Sequence, residues 1–242
     1  MMKIKELASK MEYPGRFIIM GNNKENLFAV YGVTARSASS KAKRYVLSKD
    51  KKSICVEATD INVMNKGNLS LLDYTAVRFF HNGLIIGNGR QTIAVENLNI
   101  RAFEQITESL EHETYELDKY STPRITGCIA NINNAWSQAV HIIRNDGMGK
   151  SIRECFGLPI QSEQALFIST YAGPNIRPTP SFLGKPISIE ALKESPKQIA
   201  EYVYNAFGPL MSKEDLRVSV VAVSINKDIG ETAYYIINAV DR

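Results

Sequence analysis

The spacing of apolar and polar positions changes several times along this 242-residue chain, and each change predicts an element. Arg16 to Gly21 and Leu27 to Thr34 are two β-type runs joined by Asn22-Asn23-Lys24-Glu25-Asn26, a connection short enough for a hairpin. Strand patterns continue in Ser53 to Ala58, with Ile54, Val56 and Ala58 on one face, and in Tyr74 to Phe80 and Leu84 to Asn88. Between the last two stands His81-Asn82-Gly83, whose Asn-Gly pair suits the positive φ angles of a tight turn. From Leu98 the period becomes helical: Ile100, Phe103, Ile106, Thr107 and Leu110 share one face, and Glu104, Glu108 and Glu111 the other. Arg124 to Ala130 and Trp136 to Arg144 predict a further hairpin across Asn131-Ile132-Asn133-Asn134, and a short Gly-bounded stretch leads to the apolar run Ala165 to Tyr171.

Gly173 to Pro186 is a long Pro-rich loop, and loops of such length are uncommon unless they are functional. Ser195-Pro196-Lys197-Gln198 then opens a helix with an N-cap hydroxyl, a proline at the first position and a capping-box glutamine. Ile199, Val203, Ala206 and Phe207 form its buried stripe, and Gly208-Pro209 stops it. Leu216 to Ile225 and Thr232 to Val240 are the closing strands. This order predicts an α+β fold of two packed antiparallel sheets with helices outside, not an alternating βαβ arrangement. No linker or repeat interrupts it, so residues 1–242 are expected to form a single domain.

Composition narrows the partners. With 44% apolar and 22% charged residues, and no window as apolar as a membrane span, the chain has the profile of a globular protein without a membrane partner. The net charge of +4 is spread along the chain and lacks the clustered basic face with exposed aromatics that nucleic acid requires. Met1-Met2-Lys3-Ile4-Lys5-Glu6-Leu7 has neither the apolar core nor the cleavage site of a signal peptide, which predicts a cytoplasmic protein. Cys55, Cys128 and Cys155 are an odd, widely spaced set that fits buried reduced thiols, and His81, His112 and His141 offer no metal-ligand spacing. No metal and no cofactor are expected.

The candidate chemistry is cationic. Tyr13-Pro14-Gly15-Arg16 places a lone guanidinium at the mouth of an apolar strand, and a second cluster, Arg36-Ser37 with Ser39, Ser40 and Lys41, follows the first hairpin. Together they have the forks and hydroxyls that hold a phosphate dianion, although a solvated basic loop is the plainer alternative. Gly87-Asn88-Gly89 is not followed by the rest of a nucleotide-binding fingerprint. Glu116 and Asp118 precede Ser121-Thr122-Pro123-Arg124; they are surface charges unless the fold brings them near Arg16 or Arg36, where one would exchange a proton. Tyr74, among Val77, Phe79 and Phe80, reads on its own as a core or interface tyrosine.

Taken in order, several of these segments resemble the archaeal-type inosine monophosphate (IMP) cyclohydrolase family, and most closely its bacterial branch. They are Tyr13-Pro14-Gly15-Arg16, Arg36-Ser37, Tyr74 four residues before Arg78, Asn88-Gly89, Thr122-Pro123-Arg124-Ile125, Thr170-Tyr171, and Pro180-Ser181-Phe182-Leu183-Gly184-Lys185-Pro186. The resemblance implies a four-layer αββα sandwich like that of the N-terminal-nucleophile hydrolases, without the nucleophile. It implies a cyclohydrolase that closes the second purine ring of a formamido-imidazole ribonucleotide with loss of water, as a cytoplasmic homo-oligomer needing no cofactor. It further implies that Arg16, Arg36, Ser37, Asn88, Gly89 and Arg124 bind the nucleotide and that Tyr74, Glu116 and Lys41 are catalytic. Lys41 and Lys43 stand where relatives carry arginine, and Ala172 where some carry a carboxylate. Those departures leave open a protein that binds the purine nucleotide without turnover, and Gly127-Cys128 leaves open a self-processing amidohydrolase built on Cys128.

Overall fold

The structure, a computed structural model, describes residues 1–67, 74–94, 108–158, 163–209 and 214–242. In chain order its strands are β1 (Arg16–Asn22), β2 (Asn26–Thr34), β3 (Lys43–Leu47), β4 (Ser53–Ala58), β5 (Thr75–Phe80), β6 (Gly83–Gly87) and β7 (Arg124–Ile132). There follow β8 (Ala135–Asn145), β9 (Ser151–Gly157), β10 (Gln164–Ser169), β11 (Ile187–Glu190), β12 (Arg217–Asn226) and β13 (Thr232–Asn238). The described helices are α1 (Ile4–Lys10), α2 (Ala38–Lys41), α3 (Ile61–Met64), α4 (Gln91–Ala94) and α5 (Pro196–Ala206). The strands form two antiparallel sheets, ordered β11-β10-β1-β2-β12-β13 and β3-β4-β5-β6-β7-β8-β9, as the α+β reading expects.

Strand β1 shows how the layers are built. All seven of its residues are buried, because its two faces meet different layers. Ile18 and Met20 point at the second sheet, so close to Gly127 of β7 that a Cβ there would lie 2.5 Å from the Met20 Cε. Phe17, on the other face, stacks on Phe207 at the end of α5 with ring centroids 4.3 Å apart. Helix α5 begins with the predicted capping box on Ser195 and Gln198, buries Ile199, Ala200, Val203 and Tyr204, and is packed in turn by α1. One hydrophobic cluster runs from α1 and α5 through both sheets.

Differences from the sequence reading fall mostly at sheet edges. Strands β3, β9 and β11 went unpredicted; each is an edge strand, and edges carry polar residues on their open side that blur the apolar pattern. The short helix α1 also went unpredicted, although Ile4, Leu7 and Ala8 have helical spacing. The second predicted hairpin is tighter than expected, with a two-residue turn at Asn133 and Asn134, whose φ angles of 53° and 64° match the turn that asparagine tolerates. In the hairpin before it, the turn residues are His81 and Asn82, and Gly83 already pairs with Phe80. Glycine is needed there for another reason: a Cβ would lie 2.0 Å from the Ile129 carbonyl oxygen. The last strand stops at Asn238, and a 3-10 turn over Ala239–Asp241 follows. The helix predicted from Leu98 lies outside the described residues as far as residue 107. Its last apolar position, Leu110, is buried with Ile85, Cys128 and Ile143.

Candidate active site

Antiparallel pairing brings the starts of β1, β3, β5 and β7 and the ends of β2, β6 and β10 to one end of the sandwich. Arg16 lies there, on the same side of β1 as Ile18 and Met20 and hence between the sheets. The turn that delivers it is fixed by two threonine hydroxyls. Thr170 Oγ1 donates to the Pro14 carbonyl (3.0 Å) and accepts the Arg16 N–H (3.1 Å), while Thr34 Oγ1 donates to the Gly15 carbonyl (3.0 Å) and accepts its N–H (3.1 Å). Gly15 has φ 71°, and a Cβ on it would stand 2.3 Å from Thr170 Oγ1, so only glycine fits.

Arg16 is only 8% exposed and is surrounded by phenols. Burial opposes its charge, but Tyr74, Tyr31, Tyr171 and Tyr13 more than offset this, so its pKa is raised and the guanidinium stays ionised. Tyr74 joins the two sheets: its hydroxyl lies 2.6 Å from that of Tyr31 on β2 and 2.7 Å from that of Tyr45 on β3. Burial first, and the Tyr74 oxygen second, push the Tyr31 and Tyr45 phenols well above the ordinary range. Lys43 completes the cluster. It is 1% exposed, its Nζ lies 5.8 Å from the Tyr74 ring centre, and burial followed by the Arg16 charge holds its amine well below the usual lysine range.

A cleft of about 550 Å³ opens over Arg16, bordered by Tyr13, Arg36, Ser37, Ser40, Asp118 and Tyr171, with Lys66 and Arg177 at its rim. The Arg36 guanidinium lies 4.1 Å over the Tyr13 ring, which itself stacks on Tyr171 at 5.4 Å. Arg36 also donates to Asn175 Oδ1 (3.2 Å), the Ile176 carbonyl (3.1 Å) and Thr179 Oγ1, and so ties the Pro-rich loop to the cleft wall. Ser37 caps α2, its Oγ accepting the Ser40 N–H (3.2 Å) and donating to Ser40 Oγ (2.9 Å). Lys41 is drawn elsewhere, pairing with Glu214 at 2.6 Å and donating to the Asp215 carbonyl at 3.0 Å.

The remaining expected residues gather beside this cleft. Arg124 pairs with Glu116 at 3.0 Å and Glu113 at 3.5 Å and donates to Gln91 Oε1 at 3.1 Å. A Cβ on Gly89 would stand 3.4 Å from Arg124 Nη1 and 3.5 Å from Glu116 Oε1. Asn88 is buried and spends its amide on backbone, donating to the Pro123 carbonyl (2.9 Å) and accepting the Ile125 N–H (2.8 Å). Asp118 links the two groups: it accepts from Thr122 N (2.9 Å) and Thr122 Oγ1 (2.8 Å), and Thr122 Oγ1 lies 3.2 Å from the Tyr171 hydroxyl.

The structure therefore brings Arg16 to Tyr74, Arg36 to Ser37, and Asn88 and Gly89 to Glu116 and Arg124, and it leaves Lys41 on a separate ion pair. Sequence reasoning missed Tyr31, Tyr45, Lys66 and Arg177, and named Lys43 only as a departure from relatives, with no role. Lys43 and Tyr45 are two apart and share a face of β3, a signal visible only once β3 is recognised as a strand.

These elements define an α+β protein of two antiparallel sheets with a cationic cleft at one end, lined in part by Tyr13 and Tyr171. The family described as IMP cyclohydrolase-like protein matches residues 13–229, and the chain belongs to it. A relative named IMP cyclohydrolase from Haloquadratum walsbyi is 31% identical over 139 residues, 56% of this chain and 64% of its own length. The proteins of that name from Methanocella arvoryzae and Methanosphaera stadtmanae are 24% identical over 162 residues and 23% identical over 222 residues. Those two matches cover 66% and 89% of this chain, and 74% and 95% of the relatives.

Proposed function

We propose that this protein is an IMP cyclohydrolase, closing 5-formamidoimidazole-4-carboxamide ribonucleotide (FAICAR) to IMP with loss of water. The observation that carries the reading, beside family membership, is a buried guanidinium that lines a cationic cleft and lies beside three hydrogen-bonded phenols buried between the sheets. Ring closure makes three demands: the phosphate is anchored, the carboxamide nitrogen loses a proton as it attacks, and the formyl oxygen is stabilised and protonated.

Arg36 and Ser37, with the hydroxyls of Ser39 and Ser40, serve the phosphate end, where Arg177 and Lys66 add charge. Arg16 serves the base end, and its charge favours oxygen anions that form beside it. Tyr74 donates its hydrogen bond to the formyl oxygen, and Tyr31 and Tyr45 donate to Tyr74 when it gives up its proton. Glu116 acts as an orienter: its ion pair with Arg124, beside Gly89 and the Asn88 clamp, fixes the loop that carries Asp118 and Thr122 to the cleft. Lys41 acts at a distance, tying α2 to Glu214.

The two sheets with α1 and α5 outside one and α4 against the other support the αββα arrangement and a kinship with N-terminal-nucleophile hydrolases. The self-processing alternative finds no support. Cys128 lies mid-strand in β7, paired with Ile85 and Ala139, and burial pushes its thiol far above the range of a nucleophile. A role in purine nucleotide synthesis supports a cytoplasmic location. Incubating the protein with FAICAR and following IMP by chromatography tests the function. Repeated turnover is expected, and tight binding of FAICAR without its consumption would refute it.

A further inference from the structure

We propose that Lys43 is the proton acceptor of the ring closure, an assignment that rests on the function proposed above. Lys43 opens β3 and is buried with Tyr45, two residues on, at the junction of the two sheets. Its backbone pairs with Ala58 of β4, but among the described residues its side chain makes no hydrogen bond and no ion pair, and its Nζ faces the Tyr74 ring. The charged and titratable groups around it are Arg16 on β1, Tyr74 ahead of β5, and Tyr31 on β2 and Tyr45 on β3, which bond to Tyr74. On β13 the polar side chain that reaches β3 is the neutral Asn238, which bonds the Tyr45 backbone.

None of these is a carboxylate to offset the burial of an ammonium, and Arg16 repels one. A purely structural position of this kind would be filled better by an apolar side chain. What the amine adds is a lone pair. Burial and the Arg16 charge keep it available, which is the setting in which lysine serves as a base.

The proton balance closes with two groups. As the carboxamide nitrogen bonds to the formyl carbon, its proton passes to the Lys43 amine, and the carbonyl π pair takes the Tyr74 hydroxyl proton. The resulting phenolate accepts hydrogen bonds from Tyr31 and Tyr45 beside the Arg16 charge. The carbinol C–O bond then breaks, the hydroxyl leaves as water with the Lys43 proton, and the formamide N–H proton returns to Tyr74 as the ring C=N forms. Both residues end as they began, and one water is released.

The test pairs steady-state ring closure with calorimetric binding of IMP in Lys43→Met, which keeps the shape of the side chain. We expect kcat to fall about 10²–10⁴-fold with IMP affinity changed less than about threefold. The rise of kcat with pH that marks the base in the unmodified protein is expected to vanish from the residual activity. Lys43→Arg, whose guanidinium cannot accept a proton, should be as impaired. Turnover in Lys43→Met near that of the unmodified protein, affinity lost in step with kcat, or activity restored by arginine would each overturn the assignment. Nitrogen-15 spectra of the lysine amines in the unmodified protein decide it without a variant: one neutral amine at neutral pH is expected, and ordinary ammonium at every lysine contradicts it. Failure of the unmodified protein to form IMP defeats the function itself, whereas turnover that survives in Lys43→Met defeats only this assignment.

Discussion

Arg16 and Arg36 stand on one cleft, yet they are held in opposite ways. Arg16 is buried between the sheets among weak acids whose oxygens reinforce its charge, and the turn before it admits only glycine. Arg36 lies in the wall, stacked on Tyr13 and bonded to the neutral carbonyl, amide and hydroxyl oxygens of a loop. A guanidinium among phenols can influence charge as it develops during a reaction. One that braces a loop influences what binds and how the wall is shaped. Under the proposed function, the deep arginine serves the chemistry and the shallow one recognition.

Breaking the deep side should have the largest effect. Arg16→Gln is expected to lower kcat about 10³-fold, measured by steady-state ring closure, because the permanent guanidinium charge beside the proposed phenolate is then lost. Tyr74→Phe should lower kcat about 10²-fold while IMP affinity, read by calorimetry, changes less than about threefold. Equal losses in both would remove Tyr74 from the reacting centre. On the shallow side, Arg36→Gln should weaken IMP binding about 10–100-fold, the worth of a charged hydrogen-bonding group, and leave kcat nearly unchanged. It should also hasten proteolysis of the Pro-rich loop. Lys41→Gln is the smallest change, because its pair with Glu214 is partly solvated: a loss below about 1 kcal/mol in denaturant unfolding is expected, with activity nearly intact.

The same contrast shows what the sequence could disclose. Central strands such as β1, β2 and β7 were legible because they are apolar on both faces or alternate cleanly, and α5 because its capping box is written in four residues. Edge strands were not, since β9 reads Ser-Ile-Arg-Glu-Cys-Phe-Gly and its outward residues mask the period. Arg16 and Arg36 were visible as cations near strand ends, but their different burial comes from pairings between residues far apart, such as Arg16 with Val33 and Phe17 with Ser169. Lys43 was hidden most thoroughly. A lysine in a polar run is normally solvated, and only the packing of β3 against the first sheet, through Tyr31 and Tyr45, turns it inward.

A crystal structure with IMP tests the account most directly. The account predicts the 5′-phosphate against Arg36 and Ser37, and the purine C2 edge, where the formyl carbon closes the ring, within hydrogen-bonding reach of the Tyr74 hydroxyl and beside Arg16. A nucleotide whose phosphate sits on Arg16, or whose base lies outside the cleft over Arg16, would contradict it.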